Sequence, residues 1–199
     1  MGWIESTFEL DRTAAWLRGR EMDETERPAL ETLARIFKEQ HLDWALIGGM
    51  ALQAHVEEQR FTHDIDIAVP ARSLLPREAL AEAGFRETGR FLHSDNFEGF
   101  GVPVQFSEEP PLAEAILRAE TFRLGEVELR VITALDLLRA KLRAAAEPRR
   151  RKRKALQDLA DIEAILDRHP MLESALAAEE RDLLRDLPAL VAARPPQRG

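Results

Sequence analysis

The chain has 199 residues, 45% of them apolar and 32% charged, enough for one α/β domain with helical additions or two small domains. Its 28 basic and 36 acidic residues give a formal charge of −8, so no global positive excess advertises nucleic-acid binding. The absence of cysteine excludes disulfides, thiolate metal sites and cysteine nucleophiles, and no apolar run approaches the roughly 18 residues of a membrane span. The N-terminus lacks the basic-then-apolar pattern of a secretory leader, so a cytoplasmic location and no membrane partner are expected.

In chain order, Phe8, Leu10, Ala14, Trp16 and Leu17 predict a first helix capped at Asp11. A second is predicted over 27–40, with Pro28 in its first turn and Leu30, Leu33, Ile36 and Phe37 at helical spacing. Trp44-Ala45-Leu46-Ile47 then reads as a buried strand ended by Gly48-Gly49, followed by a helix over 50–58. Residues 63–69 alternate polar and apolar up to Pro70, the period of a strand. Ser73 is the expected cap of a helix ending at Gly84, with Pro76 in its first turn. Phe85 begins a stretch of weaker signals. Residues 99–106 read as a strand whose Pro103 points to an edge or an irregularity. A helix over 111–120 precedes a hairpin of 121–124 and 127–132. From Thr133 the pattern is helical, with breaks at Glu147-Pro148 and between helices over 152–168 and 172–193. This order predicts an α/β (α+β) fold: a mixed sheet flanked by helices over 1–132, a helical C-terminal part over 133–193 packed on it, and a disordered tail over 194–199.

The block from Trp44 to Val69 carries the chemistry. Glycines at a strand-to-helix turn let a phosphate approach backbone N–H groups at the helix start. Residues two apart on a strand share a side, roughly 7 Å apart, so Asp64 and Asp66 can converge on a divalent cation bridging a triphosphate. Singly, Gly-Gly is an ordinary turn and Asp-Ile-Asp a solvated edge. In this order and spacing they point to a nucleotide and metal site.

At these residues the sequence resembles the DNA polymerase beta-like nucleotidyltransferase superfamily, whose signature is an apolar strand, Gly-Gly or Gly-Ser, a helix, and Asp-x-Asp on the next strand. The string Gly48-Gly49 followed by Arg60-Phe61-Thr62-His63-Asp64-Ile65-Asp66 is similar to the bacterial branch that includes AbiE-type toxins. Weaker likeness continues in the segment Val131 to Leu142, which bears Lys141, and in Gln157 to Ile162, which bears Asp158 and Asp161. The resemblance implies a nucleotidyltransferase-like fold and attack of an acceptor hydroxyl on the α-phosphate of an NTP, with Mg²⁺ or Mn²⁺ as cofactor. It implies that Gly48 and Gly49 cradle the triphosphate and that Asp64 and Asp66 hold the metal. Arg60 would bind phosphate or clamp an aspartate, Lys141 would supply positive charge to phosphate oxygens, and Asp158 or Asp161 would take part at the site. Thr62 is expected to be structural.

One departure stands out. Active members offer a third carboxylate on a later strand, and the aligned residue here is Gln105, which cannot act as a base. Glu98, Glu108, Glu109 and His93 lie nearby as substitutes. The run Arg149 to Lys154 is a second outlier, six consecutive cations in an acidic protein, readable as a solvated loop or as a site for RNA or triphosphate phosphates. Three readings follow: a transferase acting on an RNA end, a protein or a small molecule; a non-catalytic nucleotide-binding or toxin–antitoxin partner module; and a helical adaptor.

Overall fold

The first described helix, α1 (Glu26–Glu39), forms where the sequence places an apolar stripe. Ala29, Leu30, Leu33, Ala34, Ile36 and Phe37 are buried, whereas Arg27, Arg35, Lys38 and Glu39 face solvent. The computed structural model describes residues 26–56, 62–124 and 127–195. The helix expected around residues 8–17 lies outside these. The chain divides into two units at Thr133/Ala134.

The first unit is built on a seven-stranded mixed sheet, ordered β3-β4-β5-β2-β1-β7-β6. Its strands are β1 (Ala45–Leu46), β2 (Ile65–Ala68), β3 (Arg86–Arg90), β4 (Ser94–Gly99), β5 (Val102–Ser107), β6 (Glu120–Leu124) and β7 (Val127–Val131). The helices α2 (Gly48–His55), α3 (Arg77–Glu82) and α4 (Pro110–Leu117) connect them. Strand β1 is antiparallel to β2 and parallel to β7, and β2 is parallel to β5.

Register sorts the side chains onto two faces, because paired residues point to the same side. Val131, Leu46, Ile67, Phe106 and Asp95 are linked pair by pair across five strands and share one face. Helix α1 covers it: the Phe37 ring is 5.5 Å from Trp44 and 5.9 Å from Phe106, itself edge-on to Phe97 at 5.3 Å. The same face holds buried Asp95, neutralised by Arg72 (Nη1–Oδ1 2.8 Å) and by Arg77. Arg72 also donates to the carbonyls of Phe91 and Leu92, fixing the β3–β4 turn. The opposite face carries Asp66, Gln105, Asn96 and Gly89, again in register across β2, β5, β4 and β3.

The second unit contains α5 (Ala134–Ala146), α6 (Lys152–Arg168), the one-turn α7 (Leu172–Ala175) and α8 (Ala178–Ala192). Leu142, Ala155, Ile162, Ile165, Leu187 and Val191 are buried. Lys152 Nζ donates to the carbonyls of Ala192 (2.8 Å) and Arg194 (2.9 Å), so a cation meets the carbonyl end of α8. No helix among the described residues is long and apolar enough to cross a membrane.

Several expectations are corrected. Ser73 is not a helix cap: it lies in a 3-10 turn (Arg72–Leu74), and Pro76 holds the cap position of α3. The strand with Pro103 is not at the edge. It runs between β4 and β2, and Pro103 is tolerated because pairing with β2 begins only at Val104. The weak region after Phe85 holds two strands, β3 and β4. The final helix breaks at Leu176-Ala177, where the Ala177 N–H turns to the Glu180 carboxylate at 2.9 Å. Arg194, placed in the tail by its sequence, donates to the Ala145 carbonyl at 2.6 Å, while 196–199 lie outside the described residues.

Candidate active site

Strand β1 is two residues long and delivers the chain directly into α2. The Ile47 N–H donates to the Asp66 carbonyl at 2.9 Å, which ties the turn to β2. Gly48 then adopts φ +65°, a left-handed conformation that glycine enters without strain. Space demands glycine there as well. A Cβ on Gly48 would lie 2.1 Å from Asp66 Oδ2, 2.8 Å from its Cγ and 2.9 Å from its Cβ. A Cβ on Gly49 would lie 2.8 Å from Thr62 Oγ1 and 2.9 Å from Thr62 Cβ. The two halves of the motif therefore interlock, Gly48 against Asp66 and Gly49 against Thr62. No side chain caps α2, so its first amides keep the unsatisfied N–H groups that suit an anion.

Asp64 is exposed just before β2, and Asp66 is half-buried within it. Arg60 lies outside the described residues. Gln105 sits opposite Asp66 in the β2–β5 register, and its Nε2 donates to Ser107 Oγ at 3.1 Å. Among the described residues, no group of three or more His, Asp or Glu side chains is placed to hold a metal ion. Two carboxylates beside a neutral amide are nevertheless a hard-oxygen donor set of the kind Mg²⁺ takes, since that ion keeps several waters and shares phosphate ligands.

In the second unit, Lys141 on α5 meets two aspartates of α6. Its Nζ is 3.2 Å from Asp158 Oδ1 and 2.7 Å from Asp161 Oδ2, and both carboxylates are almost fully buried. Arg150 adds a second cation on Asp158, with Nε at 2.9 Å and Nη2 at 2.8 Å. Two cations and two carboxylates make this cluster formally neutral. The rest of the basic run divides by task. Arg150 and Lys152 are engaged within the unit, whereas Arg149, Arg151, Arg153 and Lys154 are exposed.

Residues 30–190 match the family model described as nucleotidyl transferase AbiEii toxin of type IV toxin–antitoxin systems. The chain belongs to that family. No curated protein matches it. Among solved structures, the AbiEii-family chain is similar to an antigenic nucleotidyltransferase-like protein from Paracoccidioides brasiliensis. That match has a TM-score of 0.55 and 17% identity, covering 88% of this chain and 95% of the other. It is also similar to the antibiotic-resistance factor ANT(2'')-Ia in solution (TM-score 0.56, 18% identity, 86% and 96% covered). The crystal structure of ANT(2'')-Ia in complex with adenylyl-2''-tobramycin matches at TM-score 0.56 and 15% identity, with 83% and 98% covered. At these identities the likeness establishes a nucleotidyltransferase-like fold.

Within this AbiEii-family fold, none of the candidate substitutes for a third carboxylate stands in register with Asp66, which is paired with Gln105. Glu98 shares its sheet face but sits two strands over on β4, paired with Arg86 at 3.3 Å. Glu108 accepts the Arg72 backbone N–H at 2.8 Å, which holds its carboxyl below the usual range. Glu109 precedes α4, and His93 is exposed in the β3–β4 turn. Asn96, which no sequence signal singled out, is the polar neighbour of Gln105 on β4, and its Oδ1 is buried without a hydrogen-bond partner.

Proposed function

We propose that the protein is a metal-dependent nucleotidyltransferase that moves a nucleoside monophosphate from an NTP to an acceptor hydroxyl. The observation that carries this reading is that the Asp66 side chain fills the space a Cβ on Gly48 would need, so the glycine turn and the aspartate strand lie side by side. Gly48 and Gly49 open α2, where uncapped amides receive phosphate oxygens. Asp64 and Asp66 would hold Mg²⁺ or Mn²⁺, which would neutralise the triphosphate and favour attack at the α-phosphorus. The acceptor oxygen bonds to that phosphorus, the bond to the bridging oxygen breaks, pyrophosphate leaves, and the hydroxyl proton passes to solvent or a carboxylate. Lys141 and Asp158 retain the roles implied by the resemblance, and Arg60 that of a phosphate or aspartate partner. The family supports a cognate antitoxin as partner. The exposed cations of 149–154 support an RNA acceptor, and the adenylylated aminoglycoside in ANT(2'')-Ia supports a small-molecule one. The reaction is placed in the cytoplasm, where NTPs are abundant.

Calorimetry of each NTP with and without Mg²⁺ or Mn²⁺ tests this. Binding should require the metal and be lost in both Asp64→Ala and Asp66→Ala. A folded protein that binds no nucleotide under any condition would end this reading.

A second reading, a non-catalytic nucleotide-binding or antitoxin-partner module, is favoured by Gln105 opposite Asp66. It expects wild-type protein to bind NTP without transferring it, and Gln105→Glu to gain transfer.

A further inference from the structure

We propose that the Thr62 hydroxyl is a phosphate ligand: beside the first turn of α2 it donates a hydrogen bond to the phosphate chain of the NTP, alongside the backbone amides of the glycine turn. The inference rests on the nucleotidyl-transfer reading and deepens it. It starts from what fills the space that the two glycines leave open. At Gly48 the atom nearest to an added Cβ is Asp66 Oδ2, at 2.1 Å, and at Gly49 it is Thr62 Oγ1, at 2.8 Å. Side-chain oxygens from two points of one segment therefore stand against consecutive residues at the start of one helix. Asp64 lies between them in the chain and is exposed.

The two oxygens differ in what they can bind. The Asp66 carboxylate only accepts, so it attracts a cation and repels a phosphate. A hydroxyl also donates, and a donor beside the unsatisfied N–H groups of a helix start addresses the same anion as they do. Ile47, at the cap position, brings those amides no side-chain oxygen. Packing alone does not call for a hydroxyl at residue 62. Thr62 Cβ and Cγ2, at 2.9 and 3.2 Å from the same point, already fill the hollow over Gly49, as valine would. Thr62 is only half-buried, so its side chain keeps a path to solvent. Among the described residues, its hydroxyl has no hydrogen-bond partner.

The test measures NTP binding in the presence of Mg²⁺ by calorimetry, on the full chain, with two pairs of proteins. Thr62→Val against wild type, and Thr62→Ala against Thr62→Ser, each remove the hydroxyl and leave the rest of the side chain's shape. Within both pairs, affinity for every NTP that the wild type binds should fall about tenfold. The factor should be common to all of them, because the lost hydrogen bond is to a phosphate that every NTP carries. Thr62→Ser should bind close to wild type. Stability should follow the opposite order. The urea midpoint read by the fluorescence of buried Trp44 should hold in Thr62→Val and fall in Thr62→Ser, which has lost a packed methyl. The alanine–serine pair decides the matter even where valine disturbs the fold. The proposal is overturned if removing the hydroxyl leaves NTP affinity unchanged, if the loss is confined to one base, or if Thr62→Ser loses as much affinity as Thr62→Ala. A folded wild type that binds no NTP would end the transferase reading itself, and the role of Thr62 with it.

Discussion

Gly48→Ala separates the local needs of the fold from those of the site. The substitution meets two penalties. A left-handed conformation costs an ordinary L-residue about 1–2 kcal/mol, and Gly48 is at φ +65°. The new Cβ would also stand 2.1 Å from Asp66 Oδ2, where real Cβ contacts do not fall below 3.0 Å. Rotating the carboxylate does not relieve this, since Asp66 Cγ and Cβ would lie at 2.8 and 2.9 Å. Either the β2 backbone or the turn must move, at an overpacking cost of about 1–3 kcal/mol. The sum is about 2–5 kcal/mol. Gly84→Ala is the control, because Gly84 has φ +90° but open space around its Cα, so only the backbone penalty of about 1–2 kcal/mol applies. Urea unfolding followed by tryptophan fluorescence reads the first unit through Trp44, which is buried there. Gly48→Ala should lose more stability than Gly84→Ala and should also lose Mg²⁺-dependent nucleotide binding, which Gly84→Ala keeps. Equal destabilisation by the two, with nucleotide binding intact in both, would refute the claim that Gly48 is fixed by Asp66.

Two further outcomes follow from the ion clusters. Lys141→Met removes the cation shared by Asp158 and Asp161 and leaves Asp161 buried without its 2.7 Å ion-pair partner. Breaking a buried pair from one side costs about 3–5 kcal/mol, so the urea midpoint of the helical second unit, followed by far-UV circular dichroism, should fall sharply, whereas a solvated lysine would leave it unchanged. Acidification should destabilise through Glu108 and Glu87. The Arg72 backbone N–H lowers the first and the Arg90 side-chain hydrogen bond lowers the second, both from 4.5. Because the folded values are depressed, the unfolded chain binds more protons in this window. The stabilisation is complete above 4.5 and is lost as pH falls through the folded values. Wild type should therefore lose more stability than Glu108→Gln between about pH 5 and pH 3, measured by urea midpoints.

What the sequence revealed and what it hid have different physical origins. The glycine turn and the Asp-Ile-Asp strand were legible because each residue type answers a local demand: left-handed backbone at Gly48, alternation along β2, a continuous apolar run at β1. Helix α1 and the β6–β7 hairpin declare themselves in the same way. Strands β3 and β4 do not. RETGR and SDNFEG contain residues depleted from strands, and their stability comes from partners far along the chain, the Arg72 and Arg77 contacts to Asp95 and the pairing with β5. Pro103 misled for a related reason: whether a strand proline is tolerated depends on where the neighbour's pairing begins, which local sequence does not encode. The neutralisation of Lys141 by Asp158 and Asp161 was likewise hidden, although the three lie on helices that were legible.

Gln105 changes the electrostatics of the site as well as its list of ligands. A carboxylate in its place would stand one strand from Asp66, about 5 Å away, and two such charges repel strongly unless a cation lies between them. With an amide there, the row Asp66, Gln105 and Asn96 carries one formal charge. The attraction for a divalent cation is correspondingly weaker, and the triphosphate has to supply part of the missing negative charge. On the proposed reading, metal and nucleotide would therefore enter the site best as one complex, with Asp64 and Asp66 at one end and the α2 amides at the other.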